Sequence, residues 1–374
     1  MNREPSRLCI DATPLRVPDV GIGVYTLRLL RALAKSRAAS RVTVLVPESL
    51  PVALPGNLLI HRVRLPEIPI PLFSHFLWAS RMASVAAKKD PGAVFHSPGP
   101  WVGVPRPRRF SVTMHDCIAR RFPRYQGKWW VRKWFQRAGE KIAARADHVL
   151  TDSSCSRQDL VSLAGIPENK MTVVYPWVDS HYRKGLDPAP LLSRLGLPSG
   201  YWLYVGGYDY RKNVEFLLDA YARAKQETPC PPLVLAGRIP RDLRKPVCDV
   251  AGAMARNNLA PPDIFLPGFV ADEYLPLLYS GASLMIYPSL YEGFGLPPAE
   301  AIAVGTPVLA SGTSSLPEVV RKAECRFDPA NLSQLVEKLR AASRSPASFQ
   351  CALPAEFTEE FAIRAYLSAL GLAD

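Results

Sequence analysis

Tyr287-Pro288-Ser289-Leu290-Tyr291-Glu292-Gly293-Phe294-Gly295-Leu296-Pro297-Pro298-Ala299-Glu300 is the stretch from which the rest of the chain can be read. The apolar run before it, Ala282 to Ile286, reads as a buried strand. The alanine-rich run after it opens with Pro297 and Pro298, which fit the first turn of a helix. Between strand and helix stand Gly293 and Gly295, where a ligand can approach the backbone closely. A strand, a glycine turn and a helix N-terminus make an anion site, because N–H groups point outward and the helix dipole favours negative charge. A carboxylate stands at each end, Glu292 and Glu300. Carboxylates are poor ligands for phosphate and good ones for hydroxyls. The stretch therefore suits a ligand with phosphates in the middle and hydroxyls on both sides, which is the layout of ribose, diphosphate and hexose in a nucleotide sugar.

Glu292 and Glu300 have seven residues between them, and the pattern runs on through Ala301-Ile302-Ala303-Val304-Gly305-Thr306-Pro307-Val308 and Ser314-Ser315-Leu316-Pro317-Glu318. This resembles the paired-glutamate motif of the retaining family 4 glycosyltransferases, whose fold is GT-B. The resemblance implies an α/β architecture of two Rossmann-like domains facing across a cleft. Residues 1–185 would form the acceptor-side domain and 186–355 the nucleotide-sugar domain, with a C-terminal helix in 356–374 packing back on the first. The full pattern is similar to bacterial mannosyltransferases of polysaccharide and O-antigen assembly. GDP-mannose is therefore the first donor to consider, with UDP- and dTDP-sugars left open.

The bulk properties agree with two domains: 374 residues, 48% of them hydrophobic, are enough for two cores. The first residues, Met1-Asn2-Arg3-Glu4-Pro5, lack the apolar region of a secretory signal, and no apolar run reaches the ~18 residues of a membrane span. Seven cysteines without a Cys-x-x-Cys pair read as free thiols in a reducing cytoplasm. The net charge of +13 is uneven. Through residue 185 there are 29 Lys and Arg against 13 Asp and Glu, and afterwards 17 against 20. A basic half joined to a near-neutral half fits nucleic acid or an anionic membrane surface as partner.

Seven of those basic residues fall from Ile118 to Arg137. Arg120, Arg121, Arg124, Lys128, Arg132, Lys133 and Arg137 alternate there with Phe122, Tyr125, Trp129, Trp130, Trp134 and Phe135, and no acid interrupts. Basic-aromatic segments lie on anionic lipid; they also stack single-stranded nucleic acid, or simply bury aromatics beneath solvated arginines. The resemblance favours lipid, because lipid-linked sugars are common acceptors in the family. It makes Trp129, Trp130, Arg132, Lys133 and Trp134 the expected membrane-interface residues, on the cytoplasmic face of the inner membrane.

Two further glycine turns follow strands. Leu8 to Asp11 is a strand, and the loop with Gly21 and Gly23 precedes a helix expected from Val24 to about Lys35. Tyr201 to Val205 is another, followed by Gly206-Gly207 and the pair Arg211-Lys212 before a helix from about Val214. Arginine offers a planar fork to phosphate oxygens and lysine a compact charge. Phe110 to Met114 is a strand delivering His115 and Asp116 at its carboxyl edge, where ligands of open α/β sheets bind. His96, at another strand end, fits either a cleft-lining or a buried structural role.

By resemblance, Arg211 and Lys212 neutralise the diphosphate, together with N–H groups around Phe294, Gly295 and Leu296. Glu300 holds the ribose, Glu292 the donor sugar, and His115 the sugar or diphosphate from the other domain, with Asp116 auxiliary. Gly21, Gly23 and Gly207 are implied beside the diphosphate, and Arg238 and Phe269 beside the base. Metal-dependent glycosyltransferases hold a cation through Asp-x-Asp, which this sequence lacks, so neither a metal nor another cofactor is expected. The acceptor would be a glycan or polyprenyl-linked saccharide, and retention would follow front-side attack. Rival readings remain. A GT-B epimerase would take the same donor without an acceptor. A dehydrogenase would need an acid ~20 residues beyond Gly21, where Arg41-Val42-Thr43 stand. A nucleic-acid-binding protein would account for the charge and not for the two glutamates.

Overall fold

The computed structural model describes residues 7–17, 21–50, 52–65, 71–101, 107–123, 129–239 and 246–372, without the side chains of 71–76 and 129–135. These residues divide into two compact units. The first comprises Met1–Cys117, Trp130–Tyr175 and Glu359–Asp374, the second Ile118–Trp129 and Pro176–Thr358.

The first unit is built on a parallel sheet of β1 (Leu8–Asp11), β2 (Val42–Pro47), β3 (Leu59–Val63), β4 (Val94–Ser97), β5 (Phe110–Thr113), β6 (His148–Thr151) and β7 (Met171–Val173). The spatial order is β3-β2-β1-β4-β5-β6-β7. All four residues of β1, of β4 and of β5 are buried, as expected for strands covered by helices on both faces. Helix Gly21–Lys35 buries Thr26, Leu29, Leu30 and Leu33, an apolar stripe at helical spacing. The C-terminal helix Glu359–Ala369 belongs to this unit, with Lys35 Nζ 2.9 Å from Glu359 and the Arg41 guanidinium donating to the Leu372 carbonyl at 3.0 Å.

The second unit repeats the plan with β8 (Tyr201–Val205), β9 (Leu233–Ala236), β10 (Ile264–Gly268), β11 (Ala282–Tyr287), β12 (Val308–Ser311) and β13 (Arg326–Phe327). Their order is β10-β9-β8-β11-β12-β13, again parallel. Helix Val214–Glu227 buries Val214, Leu217, Leu218, Tyr221 and Ala224, and packs against helix Leu332–Arg344. Both sheets are doubly wound. In each the order reverses once, between β1 and β4 and between β8 and β11, and such reversals open a crevice at the carboxyl ends of the strands.

One expectation is corrected. The helix placed from Val24 begins at Gly21, so Gly21 and Gly23 form its first turn and not the loop before it. Glycine there keeps a helix N-terminus open to close approach, which the weak helix propensity of glycine had concealed. The chain passes from the first compact unit to the second at 175/176, ten residues before the boundary expected from the sequence. Residues 181–190, rich in proline and glycine, are mostly exposed and are held at their two ends. The Val178 N–H donates to the Phe357 carbonyl at 3.0 Å, the Tyr182 hydroxyl donates to Asp272 at 2.8 Å, and helix Ala189–Leu195 has formed.

Candidate functional site

The reversal of the second sheet puts the loops after β8 and β11 side by side. The β8 loop carries Arg211 and Lys212 on a short 3₁₀ turn, Tyr210–Lys212, and the β11 loop carries Glu292. A backbone bond joins them, the Leu290 N–H donating to the Arg211 carbonyl at 2.8 Å. The side chains then meet. Glu292 Oε1 accepts from Lys212 Nζ at 2.7 Å, and Oε2 lies 2.8 Å from Arg211 Nη1. Arg211 also reaches Asp209, with Nε 3.3 Å from Oδ1, and donates to the Tyr291 carbonyl. Two cations and two carboxylates thus share one pocket of the fold. Burial would raise the Glu292 pKa, but the Lys212 and Arg211 charges outweigh it and hold the carboxyl down at about 2. Burial likewise opposes the charge on Lys212, and Glu292 restores it, leaving the amine above its usual range.

The Arg-Lys pair is divided in its surroundings. The Arg211 side chain is only 6% exposed and its fork is directed into protein acceptors. Lys212 has a second partner in the Tyr287 hydroxyl at 2.8 Å, and its ammonium lies 5.2 Å from the Tyr287 ring centre. Tyr204 stacks on that ring at 6.1 Å.

The loop bearing Glu292 is fastened from the far side by hydroxyls that follow β12. The Ser314 hydroxyl accepts from the Glu292 N–H at 2.9 Å, the Ser315 hydroxyl donates to the carbonyls of Glu292 and Phe294, and the Thr313 hydroxyl donates to that of Leu290. Gly295 has φ +117, and a Cβ there would stand 2.7 Å from Leu316, so only glycine lets the chain turn into helix Leu296–Val304. The Phe294 ring packs edge-on against Phe357 at 4.9 Å, and its side chain therefore serves the core. Glu300, 5% exposed on that helix, accepts from the Tyr279 hydroxyl at 3.1 Å. Gly207 is exposed beside the turn and its carbonyl accepts from the Tyr204 hydroxyl. Arg238 and Phe269 are brought together, the guanidinium 5.8 Å from a ring that is 69% exposed. Phe122 packs against Tyr210 and Tyr291, with ring centres at 5.6 and 5.9 Å, so this member of the basic-aromatic segment is a packing residue.

The first unit carries its own polar cluster. His115 follows β5, with Nδ1 2.9 Å from Asp152 Oδ2 and Nε2 3.0 Å from the Pro98 carbonyl. Tyr25, on helix Gly21–Lys35, meets its ring edge-on at 4.7 Å. Asp116 is half-buried and contributes negative charge, but the partner of His115 is Asp152. His96 is fully buried, with its nitrogens 2.8 Å from the Ser111 hydroxyl and 3.3 Å from that of Thr113. Burial pushes its pKa down to about 3, so His96 is a neutral structural histidine. The side chains of Trp129, Trp130, Arg132, Lys133 and Trp134 lie outside the described residues, although their backbone opens helix Trp129–Ala144.

Sequence reading missed Asp152, Tyr279 and Asp209 as site residues. Asp152 had a usable signal, since it directly follows the apolar run of β6, the neighbour of the strand that delivers His115. Tyr279 had none, because its link to Glu300 spans a helix end and a whole strand.

Residues 20–182 match the family model described as Glycosyltransferase Family 4, and residues 196–360 that described as Glycosyl transferases group 1. The chain is 30% identical to an O-antigen chain mannosyltransferase B of Escherichia coli, over 86% of this chain and 87% of that protein. It is 25% identical to a serotype-specific mannosyltransferase WbdA of Escherichia coli, over 88% of this chain and 43% of that one. Among solved structures, sucrose-phosphate synthase from Thermosynechococcus elongatus aligns with a TM-score of 0.72 at 20% identity, covering 98% of this chain and 96% of that chain. Among the described residues no helix is long and apolar enough to cross a membrane.

Proposed function

The chain belongs to the family 4 glycosyltransferases of GT-B fold, and from that premise we propose that it moves a mannosyl group, with retention, from GDP-mannose to a glycan or polyprenyl-linked acceptor in the assembly of a cell-surface polysaccharide such as O-antigen. The observation that carries this reading is the junction of Arg211, Lys212 and Glu292 beside a helix whose Glu300 is held by Tyr279.

The demanding step is cleavage of the bond between the anomeric carbon and the diphosphate. Negative charge then grows on the leaving phosphate. Lys212 and the N–H groups of the first turn at Leu296 offset it, and one such preorganised donor is worth roughly 10²–10³ in rate. Arg211 holds the carboxylate and backbone of the neighbouring loop in place for Lys212 to work beside. The arriving diphosphate competes with Glu292 for the lysine, and a released Glu292 is available to the donor sugar hydroxyls. Glu300, steadied at one oxygen by Tyr279, accepts from the ribose hydroxyls. Arg238 and Phe269 offer a cation and a π-face to the base. The acceptor oxygen bonds to the anomeric carbon on the face the phosphate leaves, and its proton passes to that phosphate. The cations carry the charge that a metal bears in Asp-x-Asp enzymes, so the proposal requires no metal.

Mannose is favoured by the names of the relatives, and the basic-aromatic segment suggests that the enzyme works on the cytoplasmic face of the inner membrane. Thermal-shift titrations with GDP, UDP and dTDP test the donor. Stabilisation by GDP alone supports it, and stabilisation by UDP or dTDP alone replaces the nucleotide while leaving the site. Replacing Trp129, Trp130, Arg132 and Lys133 together should release the protein from anionic vesicles; unchanged co-sedimentation would remove the membrane from the proposal.

A further inference from the structure

We propose that Asp152 is a positioning residue that keeps His115 doubly protonated, so that this histidine serves the transfer reaction as a fixed cationic hydrogen-bond donor and not as a proton carrier. The inference rests on the reading that the carboxyl edge of the first sheet takes part in the reaction.

The geometry leaves little freedom. Each ring nitrogen of His115 faces an oxygen that can only accept, the Asp152 carboxylate at 2.9 Å and the Pro98 carbonyl at 3.0 Å. A neutral imidazole has one N–H and would turn a lone pair toward one of those oxygens. Only the imidazolium satisfies both. Asp152 is spared for this task because its neighbour caps the next helix: the Ser153 hydroxyl accepts from the Ser156 N–H at 3.0 Å, at the start of helix Ser154–Ala164. The histidine is 18% exposed and the aspartate 13%, so solvent screens the pair little.

The surrounding charges agree. Burial by itself would discharge His115, but Asp152, and after it Asp116, together with the Pro98 carbonyl, raise the group to about 9. Tyr25 meets the ring edge-on, and its own hydroxyl is held neutral by burial and by Asp152. His96 on β4, also near His115, is neutral and adds no repulsion. His96 also serves as an internal control. Its nitrogens meet the Ser111 and Thr113 hydroxyls, which can donate or accept, and burial keeps it uncharged. Two histidines on one sheet edge thus differ in charge because one is given a carboxylate and the other hydroxyls. In a reaction where the acceptor proton leaves on the phosphate, a histidine that stays charged takes no part in proton transfer. It can exchange the Pro98 carbonyl for an oxygen of the ligand while Asp152 keeps its other nitrogen.

Imidazole ¹⁵N NMR titration of the full chain, without substrate, is the direct test. His115 of the wild type should remain an imidazolium to beyond about pH 8, and in Asp152→Asn it should titrate below about pH 7, near an ordinary histidine or lower. Release of GDP from GDP-mannose supplies the second readout. It should be flat for the wild type from about pH 6 to about pH 8 and fall at least about tenfold over the same range for Asp152→Asn, because the neutral fraction then dominates. Wild-type His115 titrating near pH 6.5, or a variant whose profile stays flat, overturns the proposal. If Asp152→Asn does not fold, the wild-type titration still decides. If neither protein releases GDP, the donor assignment fails while the NMR result continues to judge the histidine.

Discussion

The two sheets end in opposite kinds of polar edge. At the first, one histidine ring is held between one carboxylate and one carbonyl. At the second, two cations and two carboxylates interlock, and serine and threonine hydroxyls brace the loop behind them. Topology does not explain the contrast, because both sheets are parallel and both reverse once. The residues set on that common frame do. In the proposed function the second edge receives concentrated negative charge, and Glu292 now occupies its two cations. The first, in the inference above, holds a single oriented donor in His115. The ion pairs also fail in opposite directions. Raised to about 9, His115 stabilises the fold fully below its unfolded value near 6.5, and that contribution is lost as pH rises through about 9. Glu292, depressed to about 2, contributes fully above its unfolded value near 4.5, and that contribution is lost as pH falls through about 2.

The largest effects should come from the denser edge. Lys212→Ala should lower turnover by roughly 10²–10³, the loss of one preorganised donor; near-normal kcat would mean that the diphosphate lies elsewhere. Arg211→Ala should do as much damage by another route. It strands Asp209 without its buried partner and leaves Glu292 to Lys212 alone, at a cost of about 3–5 kcal/mol, which the urea midpoint would report. If Arg211→Ala were as stable as Lys212→Ala, the division of labour between the two cations would be wrong.

Glu300→Ala should weaken nucleotide binding by about one to two powers of ten, the worth of hydrogen bonds to a charged group. Tyr279→Phe keeps the ring and removes the hydroxyl that steadies Glu300, so calorimetry should show a smaller loss, about three- to tenfold. Equal affinities for Tyr279→Phe and the wild type would leave Tyr279 as packing only. The smallest effects are in stability. Urea midpoints of the wild type and His115→Asn should converge as pH rises through about 9, and those of the wild type and Glu292→Gln as it falls toward about 2. Convergence in the reverse directions would invert the assigned charges.

Much of this was legible before any coordinates. Continuous apolar runs such as Tyr201 to Val205 and Ala282 to Ile286 read as buried parallel strands because nothing in them alternates. The Arg-Lys turn and the two glutamates were legible because their spacing is local. The partnerships were not. Lys212 and Glu292 are 80 residues apart, His115 and Asp152 37, and Tyr279 and Glu300 21. Only the strand order converts those separations into contacts, and strand order is a property of the whole sheet. Local composition has a similar limit. Proline and glycine near Lys184 to Pro190 mark turns, and turn composition does not say whether a segment is packed. Trp177, Val178 and Tyr182 are buried, whereas residues 183–190 are mostly exposed.

The central claim is that a nucleoside diphosphate is held at the reversal of the second sheet by Lys212 and Glu300. Calorimetric titration of GDP and of UDP, separately, into the full chain and into the Lys212→Ala, Glu300→Ala double variant tests it most directly. Binding of at least one nucleotide by the wild type, lost in the variant while the variant stays folded, is the result expected. Equal affinity in both proteins, or no binding of either nucleotide by the wild type, would contradict it.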